Sequence, residues 1–246
     1  MGFGTPSLQF LRSLKKHNNR DWFEAHRTDY ETHLRGPMRA LIADLDTRFA
    51  RFAPEIVGDP RRSMFRIHRD IRFAKDKVPY KTNVGSWFFH AEAQRSVGRD
   101  AEGGSAGFYF HLEPGASFVA AGLWMPPPGQ LVRLREEMNH NLKSFERVVT
   151  DAATVRRFGS LDATENLKRM PRGYPEDHPA ARWLRYRSFT LSRPLTDAQV
   201  TSPRLAATLA ADFERLTPLV RWLNLAVGLG PATSRAVSRG KFSAKH

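Results

Sequence analysis

The hydrophobic pattern of this 246-residue chain changes period twice. That order of periods limits the fold more than any other feature. Up to residue 52 the apolar residues recur at three and four. Leu8, Leu11 and Leu14 mark a short helix over 7–17, capped by Ser7, and a second helical stretch covers 20–35. Met38, Leu41, Ile42, Leu45, Phe49 and Phe52 form an amphipathic stripe that Pro54 ends. Residues 63–125 hold short aromatic runs such as VGSWFFH, AGFYFHLE and ASFVAAGLWM, separated by Gly, Pro and polar stretches. They predict an antiparallel meander. Segment 94–107 is a polar, Gly-rich loop, and Pro126, Pro127 and Pro128 close the strand region. Helical spacing returns over 129–150. Segment 160–194 is mixed. Thr196 and Gln199 form a capping box, and a long helix containing Pro218 runs from Ser202 to about Val227. Helices, then strands, then helices predict a single α+β domain over 1–230: an antiparallel sheet at about 63–125, covered by N- and C-terminal helices. The basic tail 231–246 is expected to be disordered.

Charge bears on partners rather than on fold. The chain carries 39 Lys plus Arg against 25 Asp plus Glu, a formal net charge of +14. Such a surface attracts polyanions. Much of the excess is Arg, which GC-rich coding also favours. There is no cysteine, which excludes disulfides, thiolate catalysis and Cys-based metal sites. No run is long and apolar enough to span a membrane. MGFGTPSLQF lacks the basic and apolar regions of a secretory signal, so a cytoplasmic protein without membrane partners is expected.

The densest chemistry lies in residues 61–81, RRSMFRIHRDIRFAKDKVPYK. Eight Lys and Arg face two acids there, a local net of +6. Read as a strand, it places Arg66, His68, Asp70 and Arg72 on one face and Phe65, Ile67, Ile71 and Phe73 on the other, with Arg69 breaking the apolar face. Asp70 could orient the arginine forks, and guanidinium matches phosphate and carboxylate bidentately. Lys75, Lys77, Tyr80 and Lys81 follow around a proline turn. The set predicts an anion site with Arg66, Arg69, Arg72, Lys75, Lys77 and Lys81 as donors. In a catalytic version Tyr80 or His68 would be the general acid. Ordinary ion pairs on a solvated strand face are the competing reading.

The stretches NNRDWFEAHRTDYE, FRIHRDIRFAKDKVPYKTN, LKRMPRGYPEDHP and PLVRWLNLAV, in this order, resemble the bacterial and fungal family catalogued as domain of unknown function 2461. The resemblance runs from about Ser7 to Val227. It implies no particular reaction. It implies that the matching positions form the family signature: Asn19, Trp22, Phe23, Arg66, Arg69, Asp70, Arg72 and the following KDK-PYK run, then Lys168, Arg169, Gly173, Asp177, His178 and Pro179. Most of these are polar, which favours a site over a packing role. Val78 and the Gly-rich insertion near 98–107 depart from the family pattern.

Segment 168–179 adds Lys168 and Arg169 as ligand donors and an Asp177–His178 pair as an acid–base candidate, with a surface turn as the alternative. Familiar motifs fail. Gly103–Gly107 matches G-x-S-x-G in letters but has no strand before it and no helix after it. His26 and His33 are about 10 Å apart on a helix, too far to share an ion. No metal and no cofactor is expected. Three readings follow: a basic cleft for a small phosphorylated or anionic ligand; a sequence-nonspecific nucleic-acid binder, suggested by aromatics interleaved with basic residues; and a structural domain whose signature charges pair internally.

Overall fold

A computed structural model describes residues 2–72, 76–93 and 103–232. Phe73, Lys75, most of the Gly-rich loop and nearly all of the basic tail lie outside the described residues. The N-terminal helices are α1 (Thr5–Lys16), α2 (Arg20–Ala25) and α3 (Arg27–Tyr30), then a π-helical turn (Glu31–Arg35) and α4 (Gly36–Phe52). Strands β1 (Ile56–Val57), β2 (Val84–His90), β3 (Gly107–Leu112) and β4 (Ser117–Leu123) follow. Helices α5 (Pro128–His140), α6 (Leu142–Val149), α7 (Ala152–Phe158) and α8 (Ala181–Leu184) lead to β5 (Phe189–Leu195), α9 (Asp197–Val200) and α10 (Leu205–Ala226). The five strands form one antiparallel sheet in the order β1-β2-β3-β4-β5. The fold is α+β.

Stretches of β3, β4 and β5 alternate between a covered and a more open face, whereas β2 is buried along its whole length. Phe88, Phe108, Phe110, Val119 and Phe189 point inward and are fully buried. Helices α4 and α10 cover that face. Phe49 of α4 meets Phe88, Phe108 and Phe213, and Phe213 of α10 stacks on Phe108 at 4.7 Å. Each ring contributes about 1.5–3 kcal/mol of burial. Near the end of α10, Asn224 accepts from the Ala106 amide at 2.8 Å and donates to its carbonyl at 3.2 Å, fastening β3 to the helix. Buried Asp212 of α10 takes Arg193 of β5 and Arg157 of α7. Where β4 meets β5 the backbones touch. Gly122 has φ +126°, and a Cβ there would lie 1.9 Å from the Phe189 carbonyl oxygen, so the strand pairing needs glycine.

Several expectations change. Ser7 lies inside the first turn of α1, accepting from the Gly4 amide at 3.1 Å and donating to the His33 carbonyl at 2.6 Å. The helix over 129–150 divides at Asn141 into α5 and α6. The described residues of 61–81 form no regular strand. They make isolated bridges at Met64–Ser86 and His68–Tyr80. The sheet extends beyond 63–125, because β1 and β5 lie outside that range. The Thr196–Gln199 capping box is present, starting α9.

Candidate functional site

An open cleft of about 540 Å³ lies between the N-terminal helices and the segment after β1. Helix α3, the π turn and α4 supply Arg27, Glu31, Arg35 and Arg39. The other wall is Pro60, Arg61 and Met64 to His68, with Lys81 beside it. The first four residues are spaced by four. A four-residue step overshoots a full α-helical turn by about 40°, so a long α-helix would rotate them off one face. The π turn over Glu31–Arg35 winds wider and takes up part of that overshoot. This keeps a cationic stripe aimed at the cleft.

Charge pairing leaves the cleft electropositive. Arg27 is committed to Glu24 at 2.6 Å, and Arg35 to Glu31 at 2.7 Å. Glu31 is the sole acid among the described lining residues. The guanidinium groups of Arg39, Arg61 and Arg66 make no hydrogen bond or ion pair among the described residues. Lys81 lies over the Phe65 ring at 5.5 Å, at the rim where the cleft passes into a second groove.

That second groove, about 590 Å³, runs across the outer face of the sheet. Its lining is aromatic: Phe65, Trp87, Tyr109, Phe118 and Trp124, over a floor of Ala120, Ala121 and Gly122. Trp124 is 55% exposed. Tyr109 bonds His111 Nδ1 at 3.0 Å, and His111 Nε2 bonds Glu113 at 3.1 Å. A carboxylate only accepts, so a neutral His111 donates from Nε2 and accepts the Tyr109 hydroxyl at Nδ1. Burial pushes the Tyr109 phenol up to about 12.

The family model for a conserved hypothetical protein, DUF2461, matches residues 6–222. The chain belongs to the DUF2461 family. No curated protein and no solved structure matches it.

The basic stretch 61–81 of this DUF2461 chain divides between the cleft and its scaffold. Arg66, His68 and Lys81 line the cleft. Arg69, Asp70, Arg72 and Lys77 do not; they tie their own loop together. Arg69 pairs with Asp76 at 2.7 Å, and Arg72 with Asp70 at 2.7 Å. The Arg72 side chain, then its amide, holds the Asp70 carboxyl down at about 2. Lys77 donates to the Ile71 carbonyl at 2.9 Å. Asp70 therefore orients Arg72 and not Arg66, because the extended strand that would alternate them does not form. Lys75 lies outside the described residues.

Tyr80 is buried in the core and does not line the cleft. Its ring stacks on Phe23 at 4.1 Å, and Asn18 binds both its amide and its carbonyl, at 3.0 and 2.9 Å. Burial raises its phenol. His178 accepts from the Ala180 amide at 3.0 Å, so its Nε2 donates to Asn139 at 2.9 Å, and it staples a surface turn. Lys168 and Arg169 are exposed and line neither groove. Among the described residues no three His, Asp or Glu are grouped to hold a metal, and no helix is long and apolar enough to cross a membrane. Arg27, Arg35, Arg39 and Arg61 escaped the sequence reading. The signal for the first three was their spacing of four with Glu31.

Proposed function

We propose that this protein binds a small phosphorylated or otherwise anionic ligand in the cleft between α3–α4 and residues 60–68. One observation carries the reading: Arg39 from α4, and Arg61 and Arg66 from the segment after β1, line the cleft without a carboxylate ion pair among the described residues, where the lone acid is already taken by Arg35. Unneutralised guanidinium groups repel one another, and a phosphate that receives their forks removes that cost. The cytoplasm, where phosphorylated metabolites are held, is the compartment this reading fits. The open lining supplies a binding site; His68 at its edge is the titratable group best placed to exchange a proton with a bound ester.

Thermal melting in inorganic phosphate, pyrophosphate and sugar phosphates tests it. At a hundredfold excess over Kd a ligand stabilises by about 2.7 kcal/mol, or roughly 5–10 °C for a chain of this size. Arg61→Ala and Arg66→Ala should abolish the rise while remaining folded, since both side chains are exposed. Arg72→Ala should keep it, because Arg72 lies outside the cleft. No rise with any anion would end the reading.

The loop 69–78 supports the structural reading for its own charges, since the Arg69–Asp76 and Asp70–Arg72 pairs are internal to it.

A further inference from the structure

The aromatic groove and the cationic cleft share Phe65 and Lys81. We propose that the two form one bipartite site for a nucleoside polyphosphate, with the phosphate chain among Arg39, Arg61 and Arg66 and the base and ribose in the groove. The proposal rests on the anion reading of the cleft and adds the ligand class.

The groove has what a nucleoside needs. The exposed Trp124 ring and the Ala120–Gly122 floor offer flat surfaces for a base to stack on. Trp87 is 5% exposed, lines the groove, and its indole N–H has no acceptor among the described residues. A buried donor of this kind is costly unless a ligand acceptor meets it. Asp162, also in the lining, receives the Thr164 amide at 2.9 Å and hydroxyl at 2.6 Å, both on Oδ1. Its Oδ2 accepts nothing among the described residues, and a carboxylate oxygen is a suitable acceptor for a ribose hydroxyl. Thr190 and Ser192 add hydroxyls on the same side.

The charge distribution separates a nucleotide from a nucleic-acid strand. A strand needs cations spaced along its whole path. Here the arginines gather at one end, while the described groove lining has Lys81 at its mouth and the acid Asp162. Convergent charge at one end and stacking surface at the other fit a compact polyphosphate carrying one base. Each compartment is of ordinary small-ligand size.

The experiment titrates the protein with ATP, GTP, CTP and UTP, each against inorganic tripolyphosphate and a short single-stranded oligonucleotide. At least one nucleotide should bind about tenfold or more tighter than tripolyphosphate. Trp124→Ala should erase that advantage and leave tripolyphosphate affinity within about twofold, with Trp124→Phe restoring part of it. Arg66→Ala should weaken both ligands. Tripolyphosphate binding as tightly as every nucleotide would overturn the proposal and leave the anion cleft standing. So would nucleotide binding indifferent to Trp124→Ala. Binding of the oligonucleotide alone would replace it with a strand-binding surface. Binding of nothing would remove the cleft reading as well.

Discussion

Tyr109 gives its hydroxyl hydrogen to Nδ1 of His111 across 3.0 Å, and the opposite ring nitrogen is held by Glu113. The chain of bonds starts at a largely buried phenol and ends at a carboxylate near solvent. With a neutral imidazole this arrangement is the Nε2–H tautomer with the phenol as donor, so ionisation of Tyr109 would break it as well as bury a charge. Tyr30, buried between helices, is likewise raised to about 12, mainly by burial.

Alkaline stability follows from these two phenols. Their folded values lie above the unfolded value near 10, so the folded state holds its protons longer. The associated stability is complete below pH 10 and is lost as pH climbs through about 12, by up to about 2.7 kcal/mol for each group. Urea denaturation at pH 9 and pH 11.5 should show the loss. Tyr109→Phe should remove about half of it, leaving the Tyr30 share, while costing about 1 kcal/mol at neutral pH, because His111 Nδ1 loses its donor. An unchanged alkaline slope in that variant would contradict the assignment.

Asp212 carries a different kind of risk. Its side chain is fully buried and answers two arginines on separate elements. Asp212→Ala leaves Arg193, itself 13% exposed, without its counter-charge. The expected cost is about 3–5 kcal/mol, a fall in melting temperature of roughly 10 °C. Arg157→Ala should cost much less, since that side chain is 45% exposed. Equal losses in the two variants would refute this ranking.

Arg69→Ala should give a folded protein with an unchanged circular dichroism spectrum. The side chain pairs with an exposed Asp76 and reaches the Val78 carbonyl at 3.3 Å, while the local backbone is held independently by the Arg69 amide on the Pro79 carbonyl at 2.9 Å. Unfolding of this variant would show that the signature loop organises the domain.

The elements most legible in the sequence are those whose periodicity is uninterrupted. The stripe from Met38 to Phe49 and the aromatic run VGSWFFH lie where the sequence predicts a helix and a strand. Strand β5 was concealed because an inward Arg193 and Pro194 break its apolar alternation; Asp212, far along the chain, compensates that arginine. The basic cluster in 61–81 was visible as charge, but which charges serve the cleft was not. Local acids consume Arg69 and Arg72, a pairing set by loop geometry, whereas Arg66 lines the cleft and makes no ion pair among the described residues. Arg39 and Arg27 join the cleft through a π turn, and spacing by four looks like surface scatter unless that turn is known. Tyr80 shows the same limit: a tyrosine in a basic run looks chemical until Phe23 is found against it.

The covering of the sheet by α10 sets an order on synthesis. Strands β2 to β4 emerge early, yet Phe108 finds Phe213, and Ala106 finds Asn224, only after about a hundred more residues have been added. At usual elongation rates that interval is roughly 5–20 s, during which an aromatic hairpin face waits for its lid. The nascent chain thus passes through a stage that invites chaperone engagement, and a ribosome stalled before α10 would present a different, stickier molecule from the finished one.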